Sequence, residues 1–456
     1  MRLAMTAAMI ALAAPVAAQD QAGEIALLRA QLAALEARLA ELEARGAAPA
    51  SSPAPTPGGT GWSESVPAAV IAVPVAQPPA APSAPSRVED ESDPPPVAAA
   101  QGGARLTVSG QVNQMLLLAE QGGRDQVFVA DNDGSGSRIG FTARTELGRW
   151  TAGAEVVISA EVNSSDAIDF GDVVGSDDDD SVVGDFRQAN LFVEHPDWGF
   201  LSIGQGDTAA ARGPFSDLSG TGFAGADADV DDIAGGLSFV GPDGPLDPGG
   251  DAARLDRFFA MLDDSRDLRV FYRSPEAAGA TAALSLSSDE DGLQPAVGAS
   301  LSRDVGAWET AASLDWRRED LAGRETGIAT ASASVLAPSG VSFGVAAALG
   351  GAAEGLERPH ALFAKIGYRA DLLPVGETAF SLDLWRGRGN PDFAAADGTL
   401  PLARSAGLFA VQTVEELNTE FYAGTRVFAL DDVVARGAEV EVDDLWAVLV
   451  GAWVSF

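Results

Sequence analysis

Cysteine is absent from the 456 residues, which excludes a disulfide framework, a thiolate metal site and a cysteine nucleophile. Such a chain suits unfolded passage through an oxidising periplasm. Lysine is almost absent too. Lys365 is the only one, and 29 bases stand against 66 acids for a formal net charge of −37. Phosphate contacts need clustered cations, so nucleic acid is excluded as a partner. Histidine occurs only at His195 and His360, and neither accompanies a nucleophile motif. With no Walker or dinucleotide fingerprint either, the chain reads as a non-enzyme without a cofactor. Beyond the first twenty residues, no stretch approaches the ~18 apolar residues of a transmembrane helix.

What is there falls into four segments. Residues 1–18 read as a signal peptide: Arg2 supplies the positive start, Met5 to Leu12 the apolar core, and Val16-Ala17-Ala18 the small-residue cleavage site. Residues 19–45 carry a heptad whose apolar positions are Ile25, Leu28, Leu32, Leu35, Leu39 and Leu42. Spacings of alternately three and four predict an α-helical parallel coiled coil. Residues 46–102 hold 13 of the 26 prolines among Ala, Ser and Gly, a composition that cannot bury a core and predicts a disordered, extended linker.

From residue 103 to 456 the texture becomes short alternating segments separated by Gly, Asp and Asn. In Leu106 to Leu118, one face carries Leu106, Val108, Val112, Leu116 and Leu118, and the other Thr107, Ser109, Gln111 and Asn113. Similar runs recur to the end of the chain. At about 22 residues per strand and connection they make roughly sixteen antiparallel strands, too many for one sandwich. The last run places Trp446, Val448, Val450, Ala452, Val454 and Phe456 on one apolar face and stops there. The fold class expected is therefore all-β, a transmembrane antiparallel β-barrel. Its last strand must close on the one beginning near Leu106, so that no backbone edge faces lipid.

Four short stretches resemble general diffusion porins of Gram-negative bacteria. They are Val108-Ser109-Gly110-Gln111-Val112-Asn113, Ser137-Arg138-Ile139-Gly140-Phe141, Arg187-Gln188-Ala189 with Gly199-Phe200-Leu201-Ser202-Ile203-Gly204, and Arg269-Val270-Phe271-Tyr272-Arg273-Ser274-Pro275. The terminal aromatic Phe456, with Trp446, resembles the signal that the outer-membrane barrel assembly machinery reads. The coiled coil and linker resemble the DcaP-like trimeric porins. The resemblance implies an outer-membrane channel for passive diffusion of small hydrophilic solutes and a homotrimer embedded in lipid and lipopolysaccharide, with its N-terminal segment in the periplasm. A second reading makes that segment a tether to peptidoglycan or a periplasmic partner.

It further implies a third loop folded into the pore, here at about 206–264. That loop carries Asp227, Asp229, Asp231 and Asp232, expected to narrow the passage opposite arginines on the wall. The basic row of the family maps onto Arg138 and Arg187, and onto Arg266 or Arg269; Arg144 shares the parity of Arg138. Opposed charges of this kind set ion preference. Turning Arg187 inward also turns Ala189, Leu191 and Val193 inward, unless the loop covers them or a bulge shifts the register. Asp177 to Asp180 read as a solvated loop tip rather than a calcium site, and no metal site is assigned.

Overall fold

The computed structural model describes residues 98–99, 103–170, 182–211, 216–247, 252–259, 262, 266–289, 292–320, 325–352 and 354–456. The chain divides into two units, Met1–Gln77 and Pro78–Phe456, and the described residues belong to the second. The signal peptide, the heptad from Ile25 to Leu42, nearly all of the linker and Asp177 to Asp180 lie outside the described residues.

The wall is built from β1 (Ala104–Gln121), β2 (Arg124–Asp131), β3 (Arg138–Leu147), β4 (Trp150–Glu161), β5 (Val182–His195) and β6 (Gly199–Asp207). After the long loop come β7 (Arg266–Arg273), β8 (Ala280–Asp289), β9 (Gly292–Val305), β10 (Trp308–Asp320), β11 (Glu325–Leu336) and β12 (Val341–Leu349). The circuit ends with β13 (His360–Leu373), β14 (Gly376–Arg388), β15 (Leu402–Val414), β16 (Thr419–Asp431) and β17 (Leu445–Ser455). Neighbours pair antiparallel throughout. β1 pairs with β2 through Gln114–Gln121 and with β3 through Ala104–Gln111, so β2 and β3 are one wall position interrupted at 132–137. The result is a closed barrel of sixteen positions, sealed where β17 pairs with β1 from Gln111↔Ser455 to Glu120↔Trp446.

The two-residue period decides which way each side chain faces. On β1, Gln111, Asn113, Met115, Leu117 and Ala119 are buried inside, while Val112, Leu116 and Leu118 are exposed outside. On β17, Leu445, Ala447 and Leu449 point in, and Trp446, Val448, Val450 and Val454 point out. An outer surface of Leu, Val, Ile and Phe around a closed wall is unstable in water and stable in lipid. No helix among the described residues is long and apolar enough to cross a membrane; the crossing elements are strands.

One end of the barrel carries short turns, among them 148–149, 196–198, 306–307 and 374–375. The other carries the long connections 162–181, 208–265, 350–359, 389–401 and 432–444, with short links at 122–123, 290–291 and 321–324 between them. Ala104 and Phe456 lie at the turn end.

Candidate functional site

The described residues of the connection 208–265 fold into the barrel instead of standing above it, and small wall hydroxyls let their backbone come close. The Ala209 N–H donates to Ser285 Oγ on β8 (2.9 Å). The Ser216 and Leu218 N–H groups donate to Ser332 Oγ and Ser334 Oγ on β11, each at 3.2 Å. The Thr221 hydroxyl donates to Ser381 Oγ on β14 (2.8 Å), and Asn113 Nδ2 on β1 donates to the Phe223 carbonyl (3.4 Å). The loop thus tracks the inner face from β8 round to the closing seam. Serine at inward positions satisfies these amides without adding charge or bulk.

Two ionic anchors fix the same stretch. The Lys365 ammonium on β13 donates to Asp217 Oδ2 (2.7 Å) and to the Ala226 carbonyl (2.5 Å). Burial works to raise the Asp217 carboxyl. The ammonium and the Ser219 N–H and hydroxyl outweigh it and hold the group below the usual carboxylate range. The Arg426 guanidinium on β16 pairs with Asp383 on β14, Nη1 to Oδ1 at 2.7 Å and Nη2 to Oδ2 at 3.1 Å. It also donates to Ser405 Oγ and to the Gly225 carbonyl of the loop, each at 3.1 Å. Both members of the pair are fully buried, where a bidentate geometry with both terminal guanidinium nitrogens engaged offsets much of the lost hydration.

Beyond Gly225 the loop contributes an apolar body. Ile233, Leu237, Phe239, Leu255, Phe258 and Phe259 pack against Leu117, Phe128, Phe409, Phe428 and Leu449 in one core. Phe259 lies 4.8 Å from the Trp385 ring and 5.2 Å from Phe428, centroid to centroid. This body fills the lumen along β14–β17, β1 and β2. The adjoining inner wall, β3–β7, carries the arginines of the expected row.

On that wall Arg138 pairs with inward-facing Gln111 and is half-buried, and Arg144 lies on the same parity with its guanidinium 5.7 Å from the Phe192 ring. Arg187 sits at a bulge: Val157 pairs with Gln188 but Ile158 with Phe186, which leaves Arg187 as the extra residue. It meets Glu161 at 3.3 Å inside the barrel, while Leu191 (63% exposed) and Val193 face outward. The bulge, not coverage by the loop, resolves the conflict of parity. Arg269 faces inward and donates to Asn190 Oδ1 (2.6 Å) and to the Asp207 and Gly204 carbonyls (2.7 and 3.0 Å). Arg266 is a correction to the expected row. It shares the outward parity of Leu268 and Val270 at the loop end of β7 and pairs with Asp207 at 3.1 Å. Asp227, Asp229 and Asp231 are buried within the folded loop, and Asp232 is half-buried. The carbonyl of Asp232 accepts the Asp133 N–H at 3.3 Å, so this stretch rests on the 132–137 interruption beside Arg138. Trp446 and Phe456 both lie on the outer face, at opposite ends of β17.

Lys365, Asp217, Asp383 and Arg426 were not among the expected site residues. The three wall residues carried a signal: Lys365 lies between Ala364 and Ile366, Asp383 between Leu382 and Leu384, and Arg426 between Thr425 and Val427. A charge whose neighbours face lipid must itself face the lumen.

The sequence matches the Gram-negative porin family over residues 95–399. No curated protein matches it. Among solved structures, the anion-selective porin from Comamonas acidovorans superposes with a TM-score of 0.51 at 15% identity, covering 77% of this chain and 100% of that one. The high-pH structure of OprB from Pseudomonas putida gives 0.51 at 8% identity, covering 78% and 94%. At these identities the likeness is one of fold.

Proposed function

The chain belongs to the Gram-negative porins, outer-membrane channels for passive diffusion, and we propose that its solute path runs along the inner wall of β3–β7. The carrying observation is the position of the loop 208–265. It is tied to the wall at Lys365 and Arg426, and its apolar body occupies the β14–β2 side of the lumen. Arg138, Arg144, Arg187 and Arg269 form the basic side of the constriction, and the Asp227–Asp232 stretch of the loop forms the acidic side. Charge of both signs across a narrow polar gap sets a transverse field that sorts small hydrophilic solutes by charge and size.

The role is transport without chemistry. His195 serves the turn after β5, where its Nδ1 accepts the Asp197 N–H at 3.1 Å. In this reading residues 1–18 are removed, residues 19–45 join three copies in the periplasm, and residues 46–102 link them to the barrels. Phe456 is the residue presented to the assembly machinery. Deleting 19–102 tests the tether to peptidoglycan, which requires a weakened envelope with conductance retained. Purified protein in planar bilayers should give conductance steps in groups of three. Single steps would overturn the trimer, and no conductance at any voltage would overturn the open passage.

A further inference from the structure

The turn-side half of the β3–β7 wall holds a feature that a simple size filter does not need. Phe192, Phe200 and Phe271 all point inward from adjacent strands and touch in series. The Phe192 and Phe200 rings are 5.5 Å apart at 25°, and Phe200 and Phe271 are 6.2 Å apart at 70°. Each ring carries its own guanidinium: Arg144 at 5.7 Å from Phe192, Arg273 at 5.2 Å from Phe200, and Arg269 at 5.3 Å from Phe271.

The three pairs differ in what they leave open. Phe192 is buried across Gly153, where a Cβ would collide with its ring. Phe271 is buried beneath Ala209 and Ala210 of the loop. Arg269 is bound to Asn190 and to the Gly204 and Asp207 carbonyls. Phe200, between the two buried rings, is only half-buried. Arg273 beside it is 30% exposed, and its nearest carboxylate, Glu194, stands at 4.0 Å, beyond hydrogen-bond reach. Buried rings therefore brace an accessible ring flanked by guanidinium groups.

We propose that this platform is a subsite for small aromatic carboxylates, an inference that rests on the channel reading above. The substrate ring packs against the exposed part of Phe200, and its carboxylate is taken by Arg273. A guanidinium presents two parallel N–H donors that match a carboxylate, and offset or edge-on ring contact adds to this what an aliphatic group cannot. A saturated carboxylate of equal size meets the arginine only, and a neutral aromatic meets the ring only.

The test compares benzoate with cyclohexanecarboxylate, which share charge and nearly share size, in proteoliposomes holding the full chain. The benzoate-to-cyclohexanecarboxylate permeability ratio is expected at about threefold or more. It should fall towards one in Phe200→Leu and persist in Phe200→Tyr, which keeps the ring. Loss of wall packing alone would not produce that split. Arg273→Gln should lower the permeability of both acids. Phe343→Leu, which removes an exposed ring from the outer face, should leave the ratio unaltered. A wild-type ratio of one, or an unchanged ratio in Phe200→Leu, overturns the subsite while leaving the channel intact. Failure of the channel reading is separate: chloride would not permeate, and neither acid would enter faster than into protein-free vesicles.

Discussion

The ring of Phe456 lies across Gly110, and the two residues exchange backbone hydrogen bonds, N–H to carbonyl in each direction at 2.9 Å. The last residue of the chain is thus the final rung of the closing ladder between β17 and β1, and the missing side chain at Gly110 gives its ring a place to lie.

A Cβ at Gly110 meets that ring directly. Gly110→Val should therefore reduce the folded fraction in detergent refolding, read by the shift between folded and heat-unfolded bands on a gel. Adding Phe456→Ala in the same chain should restore much of it. If the double variant folds no better than Gly110→Val, the ring is not the obstacle.

Removing one member of the buried pair, as in Arg426→Leu, strands the charge of Asp383 and should cost about 3–5 kcal/mol. Replacing both, Arg426→Met with Asp383→Leu, should recover most of that in denaturant unfolding. Equal losses in the single and double variants would contradict pairing as the cause.

The Lys365–Asp217 contact should hold the loop over a wide range of pH. The Asp217 carboxyl is held below its unfolded value of about 3.9. Its stabilisation is thus present above that pH and is lost only as pH falls through the lower folded value. The conductance change that reports release of the loop should therefore lie below about pH 4. Asp217→Asn should show the acid-type conductance at every pH. An acid transition that survives unchanged in Asp217→Asn would assign the anchor elsewhere.

Arg138→Glu should move the reversal potential in a salt gradient towards cations, because the substitution inverts one charge of the basic side. The same change at Arg266, on the outer parity beside Leu268, should have little effect. Equal shifts at the two positions would mean that the charges act from the mouth and not from the constriction.

The barrel was legible because a lipid-facing wall imposes one period on every strand, and runs such as Val112, Leu116 and Leu118 display it directly. Arg187 was harder, since its inward position depends on one extra residue opposite Val157 and Ile158. Nothing local in the sequence records that. Arg266 and Arg269 are three apart and so face opposite ways; the exposed Leu268 and Val270 settle which one looks in. The loop anchors were illegible for another reason. Parity turns Lys365 inward but does not name Asp217, 148 positions away, as its partner. The loop was read by its acids, although Ile233, Leu237, Phe258 and Phe259 already showed that it could bury a core of its own.

The wall serines have a further consequence. Amide-to-hydroxyl contacts such as Leu218 to Ser334 are short-range and neutral, and dissolved ions barely attenuate them. The arginine side of the passage works through fields that fade over about 10 Å at 0.1 M salt. Aperture and preference therefore respond to different variables. In fresh water or brine the opening keeps its dimensions, while its discrimination between anions and cations follows the electrolyte outside the cell.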